Sequence, residues 1–263
     1  MKKRSVYLLI SGIFAFVSCT KTGQQGPTGA TGANGATGPA GPTLTNTVTG
    51  YVFLYDAYGD PVANLDSTVS VLLYNTTTGS EVDSVNANHA GIYSTTAQTG
   101  TYNLVGECPG YGMFKTNQGI VFTGGTRTYD LKFAAIPNLY AATGYDSIGI
   151  NDVYVKGTLI APNTRVTTVL AYVGTTASVN ASMPGSYSFV VAANIPANAT
   201  RYTILLPLTT LDAFFPAGST AYVAVYGAAV NYTYGDYTDY ASDNLVYTAV
   251  SATSLNPGSF IMP

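Results

Sequence analysis

Tyr232, Tyr234, Asp236, Tyr237, Asp239 and Tyr240 crowd into one short stretch of the chain, with Asp243 just beyond and Tyr226 and Tyr247 on either side. Two carboxylates held in unlike surroundings are the apparatus of glycoside hydrolysis, but nothing in the local sequence shows how one of these acids would have its pKa raised. The spacing of Asp236, Asp239 and Asp243 also departs from the alternate-residue spacing of a calcium loop. Tyrosine offers a flat apolar face and a polar hydroxyl, which suits stacking on sugar rings or burial in a protein interface, with Asp236 and Asp239 supplying hydrogen bonds. The competing reading is that these rings cover the core of a β-sandwich that has no Trp.

Other reactive groups are scarce. His89 is the single histidine of the chain, so a zinc peptidase site cannot draw on several imidazoles; for a Ser-His-Asp triad it would be the only base, and no Gly-x-Ser-x-Gly elbow occurs. Cys108, between Glu107 and Pro109, reads as a small apolar residue at a strand end. No Gly-x-x-x-x-Gly-Lys phosphate cradle occurs. The expectation is a chain without catalytic residues, cofactor or metal.

Cys19 carries a different chemistry. Lys2, Lys3 and Arg4 precede an apolar run from Val6 to Val17, and Phe16, Val17 and Ser18 lead into the cysteine. This order resembles a bacterial lipoprotein signal peptide, which implies cleavage before Cys19 and acylation of its sulfur. The apolar run is well short of the ~20 residues that a membrane-spanning helix needs. Phe16 and Val17 depart from the usual lipobox, and an ordinary secretory signal is the alternative. Thr20 is not acidic, which within the resemblance implies the outer membrane and leaves surface exposure open. Acylation would make the membrane a partner.

Ten basic residues, three of them in the leader, stand against 13 acidic ones, and those outside the leader are scattered singly. A phosphate-binding surface needs clustered Lys and Arg, so nucleic acid is not an expected partner. Hydrophobic residues make up 46% of the chain, with 22 Tyr and 10 Phe, which is material enough for two small cores.

From Gly23 to Gly41 glycine recurs at every third position, with Pro27, Pro39 and Pro42 among the neighbours. The tract resembles a collagen-like Gly-x-y repeat, in which only glycine fits the crowded axis of a triple helix. It reads either as an extended spacer, reaching on the order of 60 Å at ~3 Å per residue, or as the seed of a homotrimer.

Beyond Thr45 the pattern is short runs rich in β-branched and aromatic residues, separated by turn residues. Tyr51, Phe53 and Tyr55 alternate with Val52 and Leu54, and Val69, Val71 and Leu73 repeat the period of two. Gly50-Tyr51-Val52, Gly59-Asp60-Pro61-Val62, Val69-Ser70-Val71, Gly91-Ile92-Tyr93, Gly100 to Leu104 and Pro109-Gly110-Tyr111 follow one another in an order that resembles the carboxypeptidase regulatory-like, or transthyretin-like, family. The resemblance implies a prealbumin-like sandwich used as an accessory module, and no catalytic residue. In the second half, Val153 to Ile160, Arg165 to Val173, Ser186 to Ala192, Arg201 to Leu208, Thr220 to Val230 and Leu245 to Val250 are candidate strands, with a spacing similar to that of immunoglobulin or fibronectin III modules.

The resulting expectation is an all-β chain of two tandem antiparallel β-sandwiches: signal peptide 1–18, lipidated Cys19 and Gly-x-y linker 19–44, prealbumin-like sandwich 45–136, Ig-like sandwich 137–263. Its expected role is that of a non-enzymatic envelope protein binding a glycan or protein ligand. The alternative is a structural or accessory subunit of an envelope or polysaccharide-utilisation assembly, with catalysis in another chain.

Overall fold

The computed structural model describes residues 26–33, 35, 44–63, 68–138, 140–160, 164–231, 233, 236–239, 242–251 and 258–263, with side chains of 140–147 and 160 excepted. The signal peptide and Cys19 lie outside the described residues. Contacts divide the chain into a unit Met1–Gly41 and a unit Pro42–Pro263. In the first, residues 26–33 form no regular secondary structure, and a Cβ at Gly26, Gly29, Gly32 or Gly35 would meet nothing within 4 Å. All β-structure described below belongs to the second.

The fold is all-β. Its N-terminal part comprises β1 (Thr45–Tyr55), β2 (Ser70–Asn75), β3 (Glu81–Asn86), β4 (Ile92–Gln98), β5 (Gly100–Glu107), β6 (Phe114–Lys115), β7 (Ile120–Phe122), β8 (Gly125–Thr128) and β9 (Leu131–Ala134). One layer runs β4-β1-β8 with β9 also on β1, and the other runs β3-β2-β5-β6 with β7 also on β5. Val48, Val52 and Leu54 of β1 meet Val71, Leu73, Tyr102, Leu104 and Phe133 in one core, as the period-two pattern requires. Cys108 is buried in this core.

Pairing is not antiparallel throughout: β8 and β9 both run parallel to β1, Asn46 opposite Gly125 and Val52 opposite Leu131. Where β8 passes into β9, the Tyr51 amide donates to the Asp130 carboxylate (2.9 Å) and Tyr129 N–H to the Thr49 carbonyl (2.9 Å). Gly50 is dictated by this crossing, since a Cβ there would stand 1.8 Å from the Tyr129 carbonyl oxygen.

The C-terminal part comprises β10 (Tyr140–Ile148), β11 (Asp152–Ile160), β12 (Thr167–Gly174), β13 (Phe189–Ile195), β14 (Arg201–Pro207), β15 (Thr220–Ala228), β16 (Tyr237–Asp239), β17 (Asn244–Val246) and β18 (Gly258–Ile261). Its sheets are β10-β11-β14, β13-β12-β15-β18 and the pair β16-β17. Every residue of β12 is buried. Val169, Ala171 and Val173 point into the core shared with β11 and β14, while Leu170 and Tyr172 point into a second cluster on the opposite face, with Tyr187 and Tyr226. A strand covered on both faces has a continuous apolar run instead of an alternating one.

Several elements depart from expectation. β10 and β18 are additional strands; β10 carries a register shift between Thr143 and Tyr145, at Gly144, which breaks its period. The strand expected from Ser186 starts at Phe189 because Pro184–Ser186 make a 3-10 turn, closed by the Ser186 hydroxyl on the carbonyls of Asn180 (3.0 Å) and Met183 (2.7 Å). The tyrosine-rich stretch around Asp236 includes β16 and leads into β17.

The two large cores draw on residues 48–133 and 153–262, and a small cluster of Ala134, Ala229 and Ala249 lies between them. At this junction the Arg165 guanidinium bonds Asp60 (2.7 Å) and lies 4.5 Å from the Tyr58 ring centroid, and Val230 N–H donates to the Ala57 carbonyl (3.0 Å). The backbone at Gly112 approaches that of Thr248 and Ala249 so closely that a Cβ would stand 2.6 Å from both.

Candidate functional site

Of the tyrosine-rich stretch, Tyr232, Tyr234 and Tyr240 lie outside the described residues; Asp236, Tyr237 and Asp239 are placed. β16 and β17 pair antiparallel, Tyr237 opposite Val246 and Asp239 opposite Asn244. Their connection is tied by the Asp239 carboxylate, which accepts from the Ser242 amide (3.0 Å) and hydroxyl (2.6 Å), and by a left-handed Asp243 at φ 56°. The pair sits on the turn before β13: Asn244 Nδ2 donates to the carbonyls of Pro184 and Tyr187 (2.7 Å for the latter), and the Tyr187 hydroxyl donates to the Leu245 carbonyl (3.0 Å).

Tyr226 and Tyr187 are buried here, edge-on to Tyr172 at 5.3 and 4.9 Å between centroids. These rings cover a core. Asp236 adjoins the same cluster, and burial pushes its carboxyl up to about 7, against the opposing effect of a hydrogen bond from the Thr248 backbone. That cause was invisible in the local sequence because the burying rings come from β12, β15 and the turn before β13. A raised carboxyl is what a general acid needs, yet Asp236 Oδ1 is closed off from solvent.

Tyr237 is different. It is half-exposed, and the Lys115 ammonium of β6 stands 4.7 Å from its ring centroid. Next to it, Thr238 N–H donates to the Asn117 side-chain oxygen (3.0 Å). Both contacts lead to the solvent face of the β3-β2-β5-β6 sheet. Register there sets Ser70 opposite Glu107, Leu72 opposite Val105 and Tyr74 opposite Asn103, while Val71, Leu73 and Leu104 fill the core behind.

A groove of about 350 Å³ lies on this face, lined by Tyr74, Asn75, Asn103, Val105, Glu107 and Lys115 among others. A second hollow of about 470 Å³, bounded by Ser70, Pro109 and Tyr111, shares Glu107 and Met113 with it. One aromatic ring, two amides, a carboxylate and an ammonium thus converge on a shallow surface, which can hold a neutral polyhydroxylated ligand by stacking and by both donor and acceptor bonds. Sequence reasoning missed these residues because they come from three strands; the signal was the polar positions alternating with the core residues of β2 and β5.

The opposite layer has a second distinctive surface. Tyr51 (50% exposed) and Phe53 (41%) lie side by side on β1, ring centroids 6.3 Å apart, near an exposed His89. Among the described residues no group of three metal-ligating side chains and no helix long and apolar enough to cross a membrane is found.

The molecule is therefore an all-β protein with a polar groove on one sheet face. No protein-family model matches the chain, and no curated protein matches it in sequence. Among solved structures it is similar to one titled a "putative carbohydrate binding protein" from Bacteroides uniformis, at 14% identity over 80% of this chain and 98% of that one, TM-score 0.28. It is similar also to a DUF3823 family protein from Parabacteroides merdae (12% identity, 82% and 100% coverage, TM-score 0.28) and to the major pilin SpaD of Corynebacterium diphtheriae (11%, 82% and 65%, TM-score 0.25).

Proposed function

We propose that this chain is an exported, non-enzymatic binding module of the bacterial cell envelope, anchored in the outer membrane by lipid on Cys19, and that it holds saccharide in the groove over β2, β5 and β6. The Gly-x-y tract serves as the spacer that lifts two tandem sandwiches, divided near residue 136, away from the membrane. The observation that carries the reading is the convergence of Tyr74, Asn103, Glu107 and Lys115 in one groove, with the Tyr237 ring against the Lys115 ammonium. Tyr74 and Tyr237 supply the stacking faces, the amides orient hydroxyl groups, and Glu107 and Lys115 offer an acceptor and a donor of opposite charge. Asp239 acts indirectly, by holding the turn that presents Tyr237.

The test is retention of residues 45–263 on a panel of glycans and matrix proteins. Retention by a glycan, weakened about tenfold by Tyr74→Ala or Tyr237→Ala, is expected, which corresponds to about 1.4 kcal/mol for each ring. A blank panel would shift the assignment to a structural or accessory subunit of an envelope assembly. The anchor is tested separately: labelled palmitate should enter the protein, and Cys19→Ser should release it from the membrane fraction.

A further inference from the structure

Among the described residues two buried side-chain atoms have no hydrogen-bond partner, the Tyr172 hydroxyl and Asp236 Oδ1. Tyr172 belongs to the tyrosine cluster on the β13-β12-β15-β18 sheet, and Asp236 adjoins it. Folded proteins leave few such atoms, because each costs its full desolvation. Packing alone needs neither, since Phe at 172 and an apolar residue at 236 would fill the same space. Asp236 also directly precedes Tyr237, whose ring lies against the ammonium of Lys115, a residue of the groove.

We propose that Asp236 is a proton-operated catch: protonated, it seats the β16–β17 pair on the tyrosine cluster and holds Tyr237 against Lys115; ionised, it unseats the pair and frees the Lys115 ammonium of the groove from the Tyr237 ring. The proposal rests on the groove reading only for its consequence, since the seating itself involves no ligand. A neutral acid tolerates the phenol-lined site, whereas a carboxylate there has lost water and gained no cation.

The groups around it fit a single titration. Tyr172 of β12, Tyr226 of β15 and Tyr187 before β13 are all shifted upward by burial and stay neutral. Tyr247 follows β17, and the electrostatics of Tyr172 and Tyr187 reach both it and Asp236. Asp239 of β16 adds negative charge on the same side, acting on Tyr187 and Tyr237, and the Lys115 ammonium lies beyond the Tyr237 ring. The Thr248 amide favours the ionised form and is outweighed by burial.

The sign follows from linkage. Asp236 has its pKa raised on seating, from the ordinary 3.8 to about 7, so seating is strongest below the lower value. It weakens by up to about tenfold per pH unit through the interval between the two, and is constant above the upper one.

Hydrogen exchange on the full-length protein tests this without any saccharide. Protection of the Thr238 amide, which reports the bond to Asn117, is measured relative to its intrinsic rate from pH 5 to 8. Protection should fall by at least tenfold between pH 5 and 7 and then level off, and Asp236→Asn should remove that dependence. Asp236→Ser serves if the Asn variant folds poorly. Constant protection in the unaltered protein would overturn the proposal, as would an unchanged pH dependence in both variants. Failure of the glycan panel would overturn the groove reading while leaving this exchange result to stand or fall by itself.

Discussion

Tyr93 and Tyr172 are buried to the same degree, at 1% and 0% exposure, in the N-terminal and C-terminal parts of the fold. Tyr93 donates its hydroxyl to the Tyr129 carbonyl at 2.6 Å, where β8 passes into β9 beside Gly50. Tyr172 has two aromatic neighbours and no hydrogen-bond partner for its hydroxyl. The first region spends its buried polar group on holding strands together. The second keeps one unsatisfied, next to a carboxyl with one oxygen in the same condition, and that asymmetry separates a site built for stability from one able to change state.

Backbone insertions give the sharpest contrast. Gly50→Ala should cost about 3 kcal/mol or more in denaturant unfolding, since the new Cβ meets the Tyr129 carbonyl and nothing flexible can yield. Gly112→Ala meets the backbone of Thr248 and Ala249 instead. It should loosen β16–β17 more than the N-terminal core, seen as faster exchange at Thr238 with protection at Leu104 retained.

Removing the two hydroxyls sets the regions directly against each other. Tyr93→Phe should lose about 1–3 kcal/mol, because a part-buried carbonyl loses its donor. Tyr172→Phe should be neutral or stabilising, within about 1 kcal/mol of the unaltered protein. Equal losses would remove the distinction between them.

Proton titration should act with opposite signs on the two regions. The Thr95 hydroxyl, first among several hydrogen bonds, holds the Asp83 carboxyl below its ordinary value, so its contribution is present above pH 3.8 and is lost as pH falls further. Asp236 contributes in acid and is lost as pH rises toward about 7. Exchange at β3 and β4 should therefore quicken only in strong acid, and at β16 only toward neutrality. The smallest effect is expected at the exposed Arg165, whose bond to Asp60 holds that carboxyl low; Arg165→Ala should leave stability nearly unchanged, and less so in low salt.

Much of the N-terminal part was legible because each of β1, β2 and β4 has one wet face, which writes a period of two into the sequence. β12 has no wet face, so its run could be recognised as a strand but not assigned to two cores. The parallel pairing of β8 and β9 with β1 was not legible either, since alternation is the same in both directions; only Gly50, read afterwards, marks the crossing. The tyrosine-rich stretch was recognised from composition, and the structure divides it by burial: Tyr226 packs inside while Tyr237 stands half-exposed beside Lys115. Tyr74, Asn103 and Lys115 were not legible as a group, because register between β2, β5 and β6 alone brings them together. The buried state of Asp236 likewise depends on rings far away in the chain.

On the proposed reading a saccharide is held on the face carrying Tyr74, Asn103 and Lys115. Mapping amide and aromatic NMR shifts of residues 45–263 during titration with a retained oligosaccharide tests it most directly. Perturbations centred on Tyr74, Asn103, Lys115 and Tyr237 are predicted; perturbations confined to Tyr51 and Phe53 on the opposite layer would contradict it.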